Sequence, residues 1–410
     1  MGAPHKLVLF TLEFPFGNGE AFLESEINYL SLRFDEIFIL PSYITKDQVR
    51  RLPSNVQVIR ILADNQEEYR PIKLKKYFFE FVEAYFYSLL FSKRRYNYLR
   101  YVKSMMHYFH RDISKLNLLI NLIDSKDLTN AIFYDYWLLN SSLSLIHLKK
   151  KRKLNFIACR AHRFDLYDDQ HIEGVVPFKE YKIKNVDRII TISEQGEQYL
   201  KTQTRKAFID KISTHYLGVN RPNKIPKKAS GILIVSCSNI IPLKQVDKIA
   251  KAIAGLTLEI KWVHFGDGPD RSKVESLIQS FPSNISVELK GSVPNSEIHS
   301  FYEANFVDVF ISLSASEGLP VSMMEAISYG IPVIAPPVGG VSEIVNNNTG
   351  ILLEDKYSIQ DATNALHSII VGKILKDRNA IIEFFNYHFW AERNYNGFID
   401  DIIEASNLGK

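Results

Sequence analysis

The stretch Ser316-Glu317-Gly318-Leu319-Pro320-Val321-Ser322-Met323-Met324-Glu325-Ala326-Ile327-Ser328-Tyr329-Gly330-Ile331-Pro332-Val333-Ile334 sets two carboxylates eight positions apart. They span a Gly/Pro loop at the start of a helical pattern that runs into an apolar strand. The strand pattern 307–313 before it ends in Ser314-Ala315-Ser316. Pro320 suits a first helical turn, where its missing N–H has no partner to lose. The free N–H groups of that turn, with the positive end of the helix dipole, attract phosphate oxygens. Glu325, a turn further in, can accept hydrogen bonds from hydroxyls, as a carboxylate does well for ribose. Glu317 sits on the loop, free to reach a second polyol. Solvated glutamates are the ordinary alternative. Glu325 weighs against it, because it is embedded among small and apolar residues where a bare charge is costly.

Outward from this stretch, short β-branched and aromatic runs alternate with helical patterns. They fall at 6–12, 36–40, 56–61, 131–137, 156–160 and 188–193, then at 231–236, 259–265, 286–289, 307–313, 332–335 and 350–353. Such spacing means βα units and parallel sheets, and two series predict an α/β chain of two Rossmann-like doubly wound domains. The polar, proline-bearing segment 220–228 reads as a linker between an N-terminal domain, 1–222, and a C-terminal domain, 223–386. Ligands in open α/β sheets bind at the carboxyl ends of strands, so two facing domains predict a cleft between them as the site. The pattern 386–404 is helical, with Phe389, Trp390, Tyr395 and Phe398. A helix 387–410 crossing back over the first domain is the expectation, and a helix capping the second domain is the alternative.

Composition narrows the function classes. The 410 residues suffice for two full cores, and the formal charge of +4 is too small to argue for nucleic acid. Cys159 and Cys237 match no metal or disulfide pattern, which suits a reducing cytoplasm. The apolar run 7–12 stops at Glu13, so no secretory segment is read there, and no run approaches a membrane span. Lys6 stands where a myristoylation signal needs Ser or Thr. Asp168, Asp169 and His171 have no matching ligands at an interpretable spacing, so they read as a solvated acidic loop and no metal is expected. Gly266-x-Gly268 lacks the third glycine of a dinucleotide fingerprint.

The second domain carries an ordered set of motifs. Val235-Ser236-Cys237-Ser238-Asn239-Ile240-Ile241-Pro242-Leu243-Lys244 comes first, then Phe265-Gly266-Asp267-Gly268-Pro269 and Lys290-Gly291-Ser292-Val293-Pro294. The Glu317-to-Glu325 segment and Gly339-Gly340-Val341-Ser342-Glu343-Ile344-Val345 complete it. The set resembles the retaining GT-B glycosyltransferases of family 4, strongly over 231–355 and more weakly before. The resemblance implies a nucleotide-sugar donor of UDP or GDP type and no required metal or other cofactor. By that likeness Glu325 holds the ribose, Glu317 contacts the donor sugar beside the backbone of Gly318, Leu319 and Pro320, and Lys244 neutralises the diphosphate. A cation is needed there because leaving-group charge grows in the transition state. The family usually has an arginine five residues before that lysine. Here it is Asn239, which can donate hydrogen bonds but carries no charge, and Arg271 is a candidate substitute.

Two first-domain loops join the likeness. Phe14-Pro15-Phe16-Gly17-Asn18-Gly19-Glu20-Ala21-Phe22 follows the first strand and resembles the family's glycine-rich loop, which approaches the donor phosphates and opens towards the acceptor; Gly17 and Gly19 let backbone N–H groups face the anion, and Glu20 is a candidate acceptor or phosphate contact. A plain turn would use the same residues. Arg160-Ala161-His162-Arg163-Phe164-Asp165-Leu166-Tyr167 resembles the His-bearing loop under the donor sugar. His162 is then a catalytic candidate near the anomeric centre, with a structural hydrogen-bonder as the alternative, and Arg163 a candidate phosphate or acceptor contact.

Between Arg70 and Arg111 lie ten Lys/Arg, opposed by only Glu80 and Glu83, with aromatics such as Tyr77, Phe78, Phe79, Phe81 and Phe86 interleaved. A basic helix with an aromatic face reads as a membrane-surface element, at about 1 kcal/mol per basic group on an anionic leaflet. Helices packing their aromatics inward beneath a solvated basic exterior are the alternative. The combined expectation is a cytoplasmic or peripheral enzyme moving a hexose-type sugar to a glycan or lipid-linked acceptor in bacterial surface polysaccharide or glycoconjugate synthesis. A non-catalytic nucleotide-sugar-binding protein and a nucleotide-sugar epimerase on the same fold are its rivals. A phosphorylase is disfavoured by chain length.

Overall fold

The computed structural model describes residues 5–17, 19–44, 50–64, 74–92, 98–171, 174–228, 230–373 and 377–408. The first series of apolar runs forms β1 (Lys6–Thr11), β2 (Glu36–Pro41), β3 (Val56–Val58), β4 (Ile132–Asp135), β5 (Phe156–Ala161), β6 (Arg188–Thr191) and β7 (Ile212–Thr214). These make one sheet in the order β3-β2-β1-β4-β5-β6-β7, with every neighbouring pair parallel. β1 and β4 are buried on both faces, which is why their sequences read as continuous apolar runs and not as alternating ones. The strand order reverses at β1, so loops leaving β1 and β4 flank a crevice at their carboxyl ends.

The second series forms β8 (Ile232–Cys237), β9 (Ile260–Phe265), β10 (Ile285–Gly291), β11 (Val309–Ile311), β12 (Val333–Ala335) and β13 (Gly350–Leu352). Their order is β10-β9-β8-β11-β12-β13, again parallel throughout, with the reversal at β8. Two doubly wound parallel sheets agree with the sequence. β7 was not expected from it.

Residues Met1–Tyr216 with Glu392–Lys410 form one compact unit, and Leu217–Ala391 form the other. The helical pattern 386–404 is not one helix. A helix Arg378–His388 ends at Phe389, and a second, Ala391–Leu408, begins after Trp390. The interruption is a parallel bridge between Val219 and Trp390, with Arg221 stacked 3.6 Å over the indole. The last helix buries Phe398, Ile399 and Ile402, at helical spacing, in the same apolar cluster as Leu7, Leu9 and Tyr134. Asp401 of that helix accepts from Arg188 and Ser213 and meets His215 at 3.1 Å.

Candidate functional site

The loop after β8 turns through a short 3-10 segment, Pro242–Lys244, before the helix Val246–Ala254. Gln245 makes that turn with a φ of +50°. The loop after β11 reaches it directly, where Ala315 N–H donates to the Leu243 carbonyl at 2.8 Å. This sets Lys244 against Glu317: Nζ donates to both carboxylate oxygens at 2.6 and 2.7 Å, with both side chains largely buried. On the other side Gly340 N–H donates to the Gly318 carbonyl at 2.7 Å, and a Cβ on Gly339 would run into the Glu317 carbonyl. Leu319 and Pro320 are buried, and Pro320 caps the helix Val321–Ser328.

Glu325 lies in mid-helix, 6% exposed, among buried Met323, Met324, Ala326 and Ile327. Asn295 Nδ2 donates to its Oε1 at 2.6 Å. Burial pushes the Glu325 carboxyl up to about 7, and the Asn295 hydrogen bond opposes that rise. His299, one turn beyond Asn295, sits with Nε2 3.8 Å from the carboxylate, beyond hydrogen-bond reach. Burial lowers the His299 pKa, so the ring is neutral, and its Nδ1 meets the Tyr329 hydroxyl at 3.0 Å. Asn295 and His299 went unnoticed in sequence. A polar pair four apart after the Gly291–Pro294 motif was the one available signal.

Asn239 is exposed on the loop after β8. Arg271 does not stand ready to supply the missing charge. Its guanidinium is held by Asp267 at 3.3 Å and Glu275 at 2.8 Å. The glycines of the 266–268 loop serve close approach of loops: a Cβ at Gly266 would meet the Ser238 carbonyl, and one at Gly268 the Ile240 carbonyl.

In the first unit the glycine-rich loop differs from expectation. Glu20 adopts φ +54°, and its carboxylate accepts from the N–H groups of Leu12, Glu13 and Phe14 at 2.8–2.9 Å and from Trp137 Nε1 at 2.5 Å. Glu20 is therefore a buried loop organiser and not an acceptor or phosphate contact. Three N–H groups of this loop already have an internal anion. Gly17 is buried, with its carbonyl receiving Arg50 at 2.9 Å, whereas Gly19 is exposed.

His162 follows β5 and is 5% exposed, its ring packed on Trp137 at 4.4 Å, Tyr136 at 5.0 Å and Phe22 at 5.6 Å. Burial, reinforced by Arg160, holds its pKa well below the ordinary value, against a backbone hydrogen bond at Tyr136. Nε2 has no hydrogen-bond partner among the described residues. A neutral ring with one unsatisfied nitrogen is suited to a hydroxyl and ill suited to general base work near neutrality. Asp165 fixes the loop by accepting from His162 N–H at 2.5 Å and Leu138 N–H at 2.6 Å. Arg163 is partly exposed, and its guanidinium meets no carboxylate among the described residues.

Asp168 is not solvated. It is buried, accepting from Lys179 at 2.8 Å, Val176 N–H at 3.0 Å and the Tyr199 hydroxyl at 3.1 Å. Burial alone would raise its pKa, but Lys179 and these hydrogen bonds bring it below the ordinary value. Burial pushes the Cys237 thiol up to about 12, so it is no nucleophile.

The basic, aromatic region divides. Tyr77, Tyr85, Met105 and Phe109 are buried, while Phe78, Phe79, Phe86 and Leu90 face outward. Glu80 and Glu83 are engaged with His147 and Lys150. The side chains of Arg70, Lys73, Lys75, Lys76, Lys93, Arg94, Arg95 and Arg100 lie outside the described residues. No helix among the described residues is long and apolar enough to cross a membrane.

Residues 220–384, which carry Lys244, Glu317 and Glu325, match the family described as glycosyl transferases group 1. The chain is 26% identical over 209 residues to the UDP-N-acetylglucosamine–peptide N-acetylglucosaminyltransferase GtfA subunit of Streptococcus agalactiae, covering 48% of this chain and 40% of that protein. It is 32% identical over 124 residues to the putative teichuronic acid biosynthesis glycosyltransferase TuaC of Bacillus subtilis, covering 30% and 29%. The chain thus spans less than half the length of these curated relatives. Among solved structures, the lipopolysaccharide outer core galactosyltransferase WaaB in apo form superposes with a TM-score of 0.68 at 16% identity, covering 97% of this chain and 99% of that one. Anabaena HepE in complex with UDP and glucose superposes with a TM-score of 0.62 at 12% identity, covering 98% and 100%. The fold is GT-B.

Proposed function

We propose that the chain is a retaining glycosyltransferase of family 4. It moves a sugar from a nucleotide-sugar donor to a glycan or lipid-linked acceptor in surface polysaccharide or glycoconjugate synthesis. The observation that carries this reading is the convergence of Lys244, Glu317 and the Glu325 helix at the carboxyl ends of β8 and β11. A donor of UDP type is favoured by the neighbour that holds UDP and glucose.

In this reading the Glu325 carboxylate accepts the ribose hydroxyls, displacing Asn295. Lys244 leaves Glu317 for the diphosphate and offsets the charge that grows as the sugar bond breaks. Glu317, released, takes a donor-sugar hydroxyl. The acceptor attacks from the face the leaving group vacates, and the departing phosphate receives its proton. No metal is needed in this scheme, and Asn239 adds a hydrogen-bond donor without charge. Docking on an anionic membrane surface through residues 70–111, on the cytoplasmic side, completes the proposal.

With Asn239 uncharged, Arg271 engaged by two carboxylates and Lys290 paired with Glu288, little positive charge besides Lys244 faces a diphosphate from these motifs, and this favours non-catalytic donor binding as the second reading. A panel of nucleotide sugars tested for thermal stabilisation, nucleoside diphosphate release and anomeric configuration of product separates the readings. One donor should stabilise the protein and be turned over with retention. Stabilisation without release in any acceptor extract selects the second reading, and stabilisation by no nucleotide sugar refutes both.

A further inference from the structure

A groove on the first unit lies outside every residue placed in the donor site. Tyr87 and Phe91 line it from the end of the helix Leu74–Phe91, Glu180 from the helix Lys179–Asn185, and Thr204, Arg205 and Phe208 from the opposite wall. The space over it is about 230 Å³ with open solvent included, and its enclosed part is about 10 Å³, room for one group the size of a water or an ammonium.

Glu180 is 9% exposed, and its Oε2 has no hydrogen-bond partner among the described residues. A buried carboxylate oxygen without a donor is unfavourable, and a donor placed on it is correspondingly favourable. Burial, with a smaller push from Asp168, raises this carboxyl to about 7 against the pull of Lys179, the backbone and Ser92. Arg205 lines the same groove. Its guanidinium stacks 4.4 Å over Phe91, and its one hydrogen bond, to the Tyr87 hydroxyl, is long at 3.4 Å. Lys184 Nζ sits 4.4 Å over the Tyr87 ring. Glu180 and Arg205 thus share a groove with no ion pair between them among the described residues, while Arg205 and, beside the groove, Lys184 each sit over a ring of the helix that lines it.

We propose that this groove binds the headgroup of a zwitterionic lipid, a primary ammonium joined to a phosphate as in phosphoethanolamine. The ammonium donates to Glu180 Oε2, and the phosphate meets the Arg205 fork and Lys184. The lipid source follows from what adjoins the groove. The helix that supplies Tyr87 and Phe91 leaves Phe79 82% exposed and Leu90 72% exposed, with Phe86 between them on one face. Acyl chains would cover that stripe, which a soluble zwitterion would leave bare. The inference deepens the membrane-docking part of the reading above and does not depend on sugar transfer.

The test is flotation of the full chain with vesicles of phosphatidylcholine alone or containing phosphatidylethanolamine or phosphatidylglycerol, at low and high salt. Ethanolamine vesicles should hold the protein at high salt, where attraction between exposed charges is screened. Glu180→Gln and Arg205→Gln should each weaken that binding about tenfold or more while nucleotide-sugar stabilisation is unchanged. On the unaltered protein, excess O-phosphoethanolamine should compete the vesicles off and phosphocholine should not, because its methylated nitrogen has no N–H for Glu180. Wild-type flotation by Glu180→Gln, or competition by phosphocholine equal to that by O-phosphoethanolamine, overturns the proposal. Binding that follows phosphatidylglycerol and vanishes in high salt also overturns it, while leaving the anionic-surface reading intact. Solution binding of O-phosphoethanolamine as tight as vesicle binding overturns the lipid source.

Discussion

Glu317→Gln should tighten nucleoside diphosphate binding while lowering sugar transfer. Lys244 Nζ donates to both Glu317 oxygens at 2.6 and 2.7 Å, with the two side chains 23% and 10% exposed. The same ammonium is assigned to the diphosphate, so binding must exchange one anion for another. Two charge-assisted hydrogen bonds at a partly buried site, screened in part by solvent, contribute about 1–2 kcal/mol. Glutamine keeps the shape and removes the competing charge, so the diphosphate should bind about 5–30-fold more tightly by calorimetry. Transfer should fall at least about tenfold, since the contact to the donor sugar loses its charge. Lys244→Ala strands the Glu317 carboxylate and should lower unfolding stability in urea by about 1–3 kcal/mol, with the double variant recovering much of it. Unchanged or weaker diphosphate binding by Glu317→Gln would refute the exchange, and transfer that survives Lys244→Ala would refute the role of the ammonium.

Two further outcomes follow from the carboxylates. Burial raises Glu325 from 4.5 to about 7, so its neutral form is favoured in the folded chain, and stability should decline as pH rises from 4.5 through 7. The ionised form accepts ribose hydroxyls, so affinity for a nucleotide sugar, whose phosphates do not titrate in this range, should rise about tenfold between about pH 6 and pH 8. Both trends should be absent in Glu325→Gln, and a pH-independent wild type would contradict the assignment. Glu20→Ala removes the acceptor of four donors and should cost about 2–4 kcal/mol in denaturant unfolding. An acceptor-binding role would instead leave stability unchanged and reduce transfer alone.

What could be read from the chain, and what could not, divides by range of interaction. Most strands of both sheets were legible because burial on two faces demands continuous branched and aromatic runs, while β3 and β10 are only partly buried and were marked by their β-branched residues. β7 was not, since three residues with only Ile212 fully buried carry no period, and the strand exists through its pairing with β6. Glu317 and Glu325 were legible as residues, but Asn295 and His299 reach Glu325 from a helix thirty and twenty-six positions upstream. Asp168 read as solvated because Lys179, eleven positions on, comes to it only through the fold. Glu20 read as a candidate acceptor or phosphate contact because nothing local announces a φ of +54°.

The glycines show the same division most sharply. Their spacing identified the motif, but their cause is three-dimensional. Side chains at Gly266 and Gly268 would strike the backbone at Ser238 and Ile240, and one at Gly339 would strike the backbone of Glu317. These glycines let the loops after β8, β9, β11 and β12 lie against one another, and that contact is what brings Lys244 within 2.7 Å of Glu317. A Cβ at Gly339 would therefore shift a carboxylate that it never touches. The geometry proposed for the diphosphate rests as much on these bare backbones as on the charged groups themselves.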